Sequence, residues 1–173
     1  MAKKVCFIFG LEINKRTVKL IWYNLINFFV WRVEMDILYL IPCTEADLDV
    51  LAKLNKQLIE DEKHDNKMDI EQLKERMRHF INTDYRAYFF KHDEKVVGYV
   101  LVDTTKVPLY IRQFFICREF RRQGLGSVAF RKLLEKLGTN AIDIEVLPWN
   151  ECGKGFWKSL GFCERSIYMR YGK

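Results

Sequence analysis

The sequence predicts an α/β protein, a mixed α+β sheet with helices on both of its faces. Short apolar runs of strand length recur at residues 37–43, 85–91, 95–104, 107–116, 142–147 and 162–171. Between them lie stretches whose apolar residues recur every three or four positions, such as Leu48, Leu51, Leu54 and Leu58, the mark of a helix with one buried face. A length of 173 residues with 49% hydrophobic content is enough for one sizeable core.

Each element has a local reason. Residues 37–43 open as a strand. Thr44, with Asp47 three residues on, has the form of an N-cap and a near capping box, and it starts a helix over 45–60. Residues 61–68 are polar and turn-like. Asp69 can cap a second helix that runs to about Phe80, with Ile70, Leu73, Met77 and Phe80 on one side. Residues 85–91 and 95–104 form a hairpin closed near His92-Asp93-Glu94. The strand at 107–116 has Pro108 near its start, where a missing N–H is tolerated. A glycine-bearing loop and a helix over 127–137 follow, ending near Gly138. A strand at 142–147, a helix at 150–160 and a last strand at 162–171 complete the order. No repeat, low-complexity segment or interdomain linker interrupts it.

The run Arg121-Arg122-Gln123-Gly124-Leu125-Gly126 carries the first chemical signal. It joins an apolar strand to a helix that Ser127 helps to open. The first N–H groups of a helix lack intrahelical partners and can meet anionic oxygens, while glycine lets the backbone approach closely. Arg121 and Arg122 add charge-assisted bonds of about 1.5–3 kcal/mol each when desolvated. No Gly-Lys-Ser/Thr follows, so the loop is not a P-loop. Gly124 and Gly126 lack the third glycine of a dinucleotide fingerprint.

The second signal lies downstream, in Asn150 and in Lys158-Ser159-Leu160-Gly161-Phe162. Arg-x-x-Gly-x-Gly at 121–126, then Asn150, then this Lys-x-Leu-Gly-Phe ending resemble the GNAT superfamily of acetyl-CoA-dependent N-acetyltransferases. The resemblance covers about residues 35–173. It implies a central, mostly antiparallel sheet, acetyl-CoA as co-substrate and no metal. It also implies that the backbone of Phe114, Phe115 and Ile116 pairs with the pantetheine arm and that the backbone of 121–126 holds the pyrophosphate. Asn150 then bonds the pantetheine or shapes its exit, and Trp157 walls it. On the residues alone Asn150 reads as an N-cap, and the side chains of Phe114 and Phe115 as core packing.

Acetyl transfer to a lysine-like amine requires its deprotonation, about 4–5 kcal/mol at neutral pH. Ile144-Glu145-Val146-x-x-x-Asn150 resembles the Leu-Glu-Val-x-x-x-Asn pattern of the branch that acetylates protein N-termini, in which the equivalent glutamate is the base. Glu145 is therefore the candidate base, against its reading as a solvent-facing or ion-paired strand residue. The family's acidic tyrosine falls at position 157, where this chain has Trp157, and an indole N–H can donate a hydrogen bond but no proton. Tyr168 is the substitute candidate, against a packed strand residue. Arg112 and Gln113 stand where other branches place a base, and neither can act as one at neutral pH. Glu60, Asp61 and Glu62, in the connection between the first two helices, can steer a cationic amine or form a solvated turn.

Charge and cysteines bound the rest. Of the net charge of +6, +4 falls in residues 1–34, so the remainder is nearly balanced and unlike the basic face of a nucleic-acid binder. Cys6, Cys43, Cys117, Cys152 and Cys163 show no paired spacing and no clustering with histidine, which fits reduced thiols in a cytoplasm. Cys152 reads as an incidental thiol beside the cofactor pocket. The apolar run at 20–31 is too short to span a bilayer. Residues 1–34 are either an amphipathic or partner-binding arm or sequence upstream of a true start at Met35, and the second is preferred. The expected function is N-acetylation of a primary amine, a small cationic metabolite, by direct attack in a ternary complex. Alternatives are an acetyl-CoA-binding module without catalysis and acetylation of a protein N-terminus or lysine. A cytoplasmic location and a homodimer complete the expectation, with neither nucleic acid nor membrane as partner.

Overall fold

The protein's structure, a computed structural model, describes residues 38–167, 169, 171 and 172. The expectations on residues 1–34, on Met35 and on Tyr168 lie outside the described residues. Five strands form one sheet in chain order: β1 Leu38–Pro42, β2 Tyr85–His92, β3 Lys95–Asp103, β4 Leu109–Ile116 and β5 Ile142–Ile144. The helices are α1 Leu48–Asp61, α2 Ile70–Ile81, α3 Leu125–Leu137 and α4 Glu151–Ser159. Neighbouring strands run antiparallel from β1 to β4. β4 and β5 run parallel, joined through α3, since parallel neighbours need a crossover.

The caps read from the sequence are made. The Thr44 N–H donates to Asp47 Oδ2 at 2.8 Å, ahead of a short 3-10 turn at Glu45–Asp47. Asp69 Oδ1 accepts from the Gln72 N–H at 2.8 Å, and Gln72 Oε1 accepts from the Asp69 N–H at 3.0 Å. Leu48, Leu51, Leu54 and Leu58 of α1, with Met77 of α2, pack on Ala87, Phe89, Tyr99, Leu101 and Phe115. Full burial of such side chains is worth about 1.5–3 kcal/mol each. Phe114 turns to the opposite face, 5.1 Å from both Phe90 and Trp157, and Trp157 lies 5.6 Å from Phe130 of α3. The sheet is thus covered by α1 and α2 on one side and by α3 and α4 on the other.

Two irregularities matter for function. Leu101 pairs with Gln113 but Val102 pairs with Ile111, so Arg112 is an extra residue on β4, a bulge. A bulge bends its strand and sharpens the local twist. Pairing with β5 covers only Leu109↔Ile142, Tyr110↔Asp143 and Ile111↔Ile144. The parallel strands part at the bulge. Gly98 fits the same region for steric reasons: a Cβ there would stand 2.1 Å from the Phe115 carbonyl oxygen.

Three expectations need correction. β4 begins at Leu109, not 107, because Pro108 has no N–H for the ladder. β5 ends at Ile144, not 147, because β4 has swung away and offers no further partner. The last strand expected at 162–171 is not formed among the described residues. Ile167, Met169 and Tyr171 alternate as a strand would, yet all three are almost fully exposed. Alternation makes a strand only where a neighbouring ladder and a core accept it.

Candidate active site

The split between β4 and β5 is a slot with polar walls. The Cys117 N–H donates to the Val97 carbonyl on β3 at 2.9 Å. Antiparallel pairing alternates, so Phe115 and Gln113 also turn their backbone groups toward β3. Phe114 and Ile116 turn theirs toward the slot. The Ile116 carbonyl is taken by Arg121 Nε at 2.8 Å, which leaves the Phe114 N–H and carbonyl and the Ile116 N–H without a partner among the described residues.

The slot ends at the glycine-bearing loop. Arg122 has φ +63° and Gly124 has φ +77°, so the chain enters the left-handed region twice before α3 begins. Such turns gather backbone N–H groups into an anion-binding concavity. The N–H groups of residues 122–126 find no acceptor among the described residues, whereas the Ser127 N–H is taken by the Gly124 carbonyl at 3.1 Å. A Cβ on Gly126 would stand 3.1 Å from the Phe156 ring, so glycine keeps α3 close to α4.

The loop is pinned from behind. Asp61, at the end of α1, pairs with Arg121 and lies 2.6 Å from Arg118, while Glu60 lies 3.3 Å from Arg118. The Arg121 guanidinium also stacks over the Phe115 ring at 5.2 Å. Burial raises the Asp61 carboxyl, but hydrogen bonds from Arg118 and Arg121 outweigh it and hold the group below the ordinary range. Gln123 Nε2 donates to the Glu119 carbonyl at 3.0 Å.

The segment after β5 meets the chain just past α1. Trp149 Nε1 donates to the Glu62 backbone carbonyl at 2.8 Å, and Asn150 Nδ2 to Glu62 Oε1 at 3.4 Å. Asn150 Oδ1 meanwhile accepts from the Gly153 N–H at 2.8 Å as the cap of α4. Burial raises the Glu62 carboxyl above its ordinary range; the Asn150 amide opposes this and the Asp61 charge adds to it. Beneath lies a buried polar chain: Asn55 Nδ2 donates to Tyr99 Oη at 3.1 Å, and Tyr99 Oη to Gln113 Oε1 at 3.0 Å. Asn55 Oδ1 is buried with no partner among the described residues. Glu145 follows the last paired residue of β5, exposed, with Tyr110 Oη donating to its Oε2 at 3.4 Å.

Comparison with known proteins decides the family. The model of the acetyltransferase (GNAT) family matches residues 49–162, well over half of the chain. The chain belongs to the GNAT acetyltransferase family. A possible acetyltransferase from Clostridium difficile 630 superposes with a TM-score of 0.66 at 17% identity, over 79% of this chain and 97% of that one. A predicted acetyltransferase from Clostridium acetobutylicum, solved with acetyl-CoA, gives 0.61 at 13% identity, over 78% and 96%. AAC(6')-Iy in complex with the bisubstrate analog CoA-S-monomethyl-acetylneamine gives 0.60 at 17% identity, over 79% and 97%. At these identities the likeness is one of fold. No curated protein matches the chain.

This GNAT acyltransferase brings most of the sequence-selected residues to one place. Phe114 and Ile116 line the slot, the 122–126 backbone follows β4 at its end and Glu145 follows β5, while Asn150 stands beside Glu62. Four stand differently from the simplest reading. Glu60 and Asp61 spend their charge on Arg118 and Arg121. Trp157 is buried in an aromatic cluster with Phe114, Phe156, Phe130 and Phe162. Phe115 directs its backbone to β3. Cys152 is exposed in the first turn of α4, and burial pushes the Cys117 thiol up to about 11. Among the described residues no group of histidine, cysteine and carboxylate could hold a metal, and no helix is long and apolar enough to cross a membrane. The Asn55–Tyr99–Gln113 chain was missed. Its signal was Asn55, a polar residue four positions after Leu51 on the buried face of α1.

Proposed function

We propose that this protein transfers the acetyl group of acetyl-CoA to the primary amine of a small molecule, by direct attack in a ternary complex. The observation that carries the proposal is the slot that opens at the Arg112 bulge and ends on the unpaired N–H groups of 122–126. The free Phe114 backbone groups and the Ile116 N–H suit an extended amide-bearing arm, added like a strand. The N–H groups of 122–126 suit a pyrophosphate. Acetyl-CoA supplies an activated acetyl group there. The acetyl-CoA-bound neighbour shares this fold, which supports the donor, and AAC(6')-Iy, solved with a bisubstrate analog, shares it too, which supports a small-molecule amine acceptor.

The chain's own residues then have separable tasks. Glu145, at the origin of the split, takes the proton from the acceptor ammonium, directly or through water. Glu62, partly desolvated beside Asn150, is the second carboxylate within reach of the same space. Gln113 and Tyr99, buried and bonded to each other, brace β4 against β3 next to the bulge. Trp157 shapes the wall through Phe114 and donates no proton, so the thiolate leaves without an acid from that position. Titration calorimetry with acetyl-CoA, on wild type and on Gly124→Val, tests the cofactor part. Saturable binding that the variant loses is expected; undiminished binding would remove the loop from the proposal.

A further inference from the structure

On the α1–α2 face of the sheet stand two arginines that the reading above leaves unused. Arg112 is the bulge residue of β4, where the strand leaves β5. It lines a cavity of about 280 Å³ with Tyr85, Lys106, Tyr110 and Asp143 among its neighbours. Arg76, on α2, stacks at 5.4 Å over the Phe80 ring, which packs at 4.6 Å on Tyr85 of that cavity. Among the described residues the arginines that form ion pairs are Arg78, Arg118 and Arg121, so neither Arg76 nor Arg112 has one. The carboxylates nearby are otherwise engaged or stand apart. Asp103 accepts from the Thr105 N–H at 2.9 Å and the Thr105 hydroxyl at 2.6 Å. Glu145 accepts from Tyr110. Asp143 lies exposed at the cavity rim.

Like charges near one another repel, and burial, then the Arg112 charge, lowers the Arg76 guanidinium's affinity for its proton. An anion between them relieves both costs, and a guanidinium fork matches the two oxygens of a carboxylate. Tyr110 sets the scale of the ligand. Its hydroxyl donates to Glu145 Oε2 at 3.4 Å and it lines the same cavity as Arg112, so the base stands beside the cavity that holds the cation.

The geometry points to a carboxylate subsite formed by Arg112 and Arg76, which makes the acceptor an amino acid or a similar zwitterion, its amine toward Glu145 and its carboxylate on the arginines. This rests on the acetyl-transfer reading and narrows it: the acceptor carries an anion close to its amine, unlike a polycationic amine.

Matched acceptors test it. α-, β- and γ-amino acids and their carboxamides are compared on the full chain, by calorimetric binding in the presence of coenzyme A and by thiol release from acetyl-CoA. The acid is expected to bind at least ten-fold more tightly than its carboxamide. Arg112→Gln, at an exposed position, is expected to bring the acid-to-amide ratio of kcat/KM toward one, Arg112→Lys to restore part of it, and Arg76→Gln to act in the same direction. Equal binding of acid and carboxamide, or a ratio that Arg112→Gln does not change, overturns the subsite. Tighter binding of an amine bearing a phosphate ester overturns the choice of carboxylate. Carboxylate-selective binding without thiol release from any acceptor overturns acetyl transfer and upholds the subsite.

Discussion

Glu145 and Glu62 come from different elements, and their surroundings assign them different behaviour. Glu145 is exposed beside Tyr110; Glu62 is part-buried against Asn150. Removal of a general base lowers turnover by about 10²–10⁴-fold. Glu145→Gln is therefore expected to reduce kcat by at least that lower bound, with acetyl-CoA affinity retained. Steady-state kinetics beside calorimetry checks this, and retained turnover would pass the role to Glu62. For Glu62 the sign of linkage gives a second prediction. Its folded-state pKa is raised, with burial as the main cause. The native state therefore holds the proton more tightly, and the associated stability is present at low pH and lost as pH rises through the folded value. Glu62→Gln keeps a neutral side chain throughout, so its melting temperature relative to wild type should rise between pH 4 and pH 8. A difference that stays flat or falls over that range would contradict the desolvated environment. Asp61 has the opposite sign: its contribution is present above the ordinary carboxylate range and fades as the group protonates in acid.

At the scale of elements, the pairing of β3 with β4 sets up the site. Gly98 admits the Phe115 carbonyl where a Cβ would stand 2.1 Å away. Overpacking of this kind costs about 1–3 kcal/mol, occasionally more. Gly98→Val is expected to lose at least that much in urea denaturation, because the obstacle is backbone and cannot rotate aside. A loss well below 1 kcal/mol would mean that β3 and β4 slide apart easily and that the bulge at Arg112 is not held in register. Several elements were legible in the sequence for local reasons. Thr44 and Asp69 carry their cap chemistry in their own side chains, and the leucines of α1 carry the helical period. The bulge was not legible, since it exists only as a mismatch between two strands: Leu101 against Gln113, Val102 against Ile111. Among the described residues the strand expected at 162–171 is not formed for the related reason that alternation at Ile167, Met169 and Tyr171 names no partner ladder.

For the whole molecule, the candidate site is a junction of separate segments: the α1–α2 connection through Asp61 and Glu62, β4 through Phe114, the loop at 122–126 and the start of α4 through Asn150. The glycine loop and Asn150 were readable because motif and spacing lie in one stretch of chain. The clasp of Glu62 by Trp149 and Asn150 spans 87 and 88 residues of sequence and could not be. If acetyl-CoA binds as proposed, it is expected to stabilise the folded chain by mass action, by about 2.7 kcal/mol at one hundred times its dissociation constant. For a chain of this length that corresponds to a rise of roughly 5–10 °C in Tm, measurable by a thermal scan with and without ligand. The aromatic cluster around Trp157 belongs to the same scale. Trp157→Ala removes one large buried ring at the meeting of β4, α3 and α4, and is expected to cost about 3–5 kcal/mol in chemical denaturation.

Coenzyme A thiol release from acetyl-CoA, followed with and without a panel of primary amines, tests the central claim most directly. The account predicts release that depends on the amine, saturates with it and falls at least a hundred-fold in Glu145→Gln or Glu62→Gln. Saturable acetyl-CoA binding with no amine-dependent release would contradict it and leave a module that binds acetyl-CoA without turning it over.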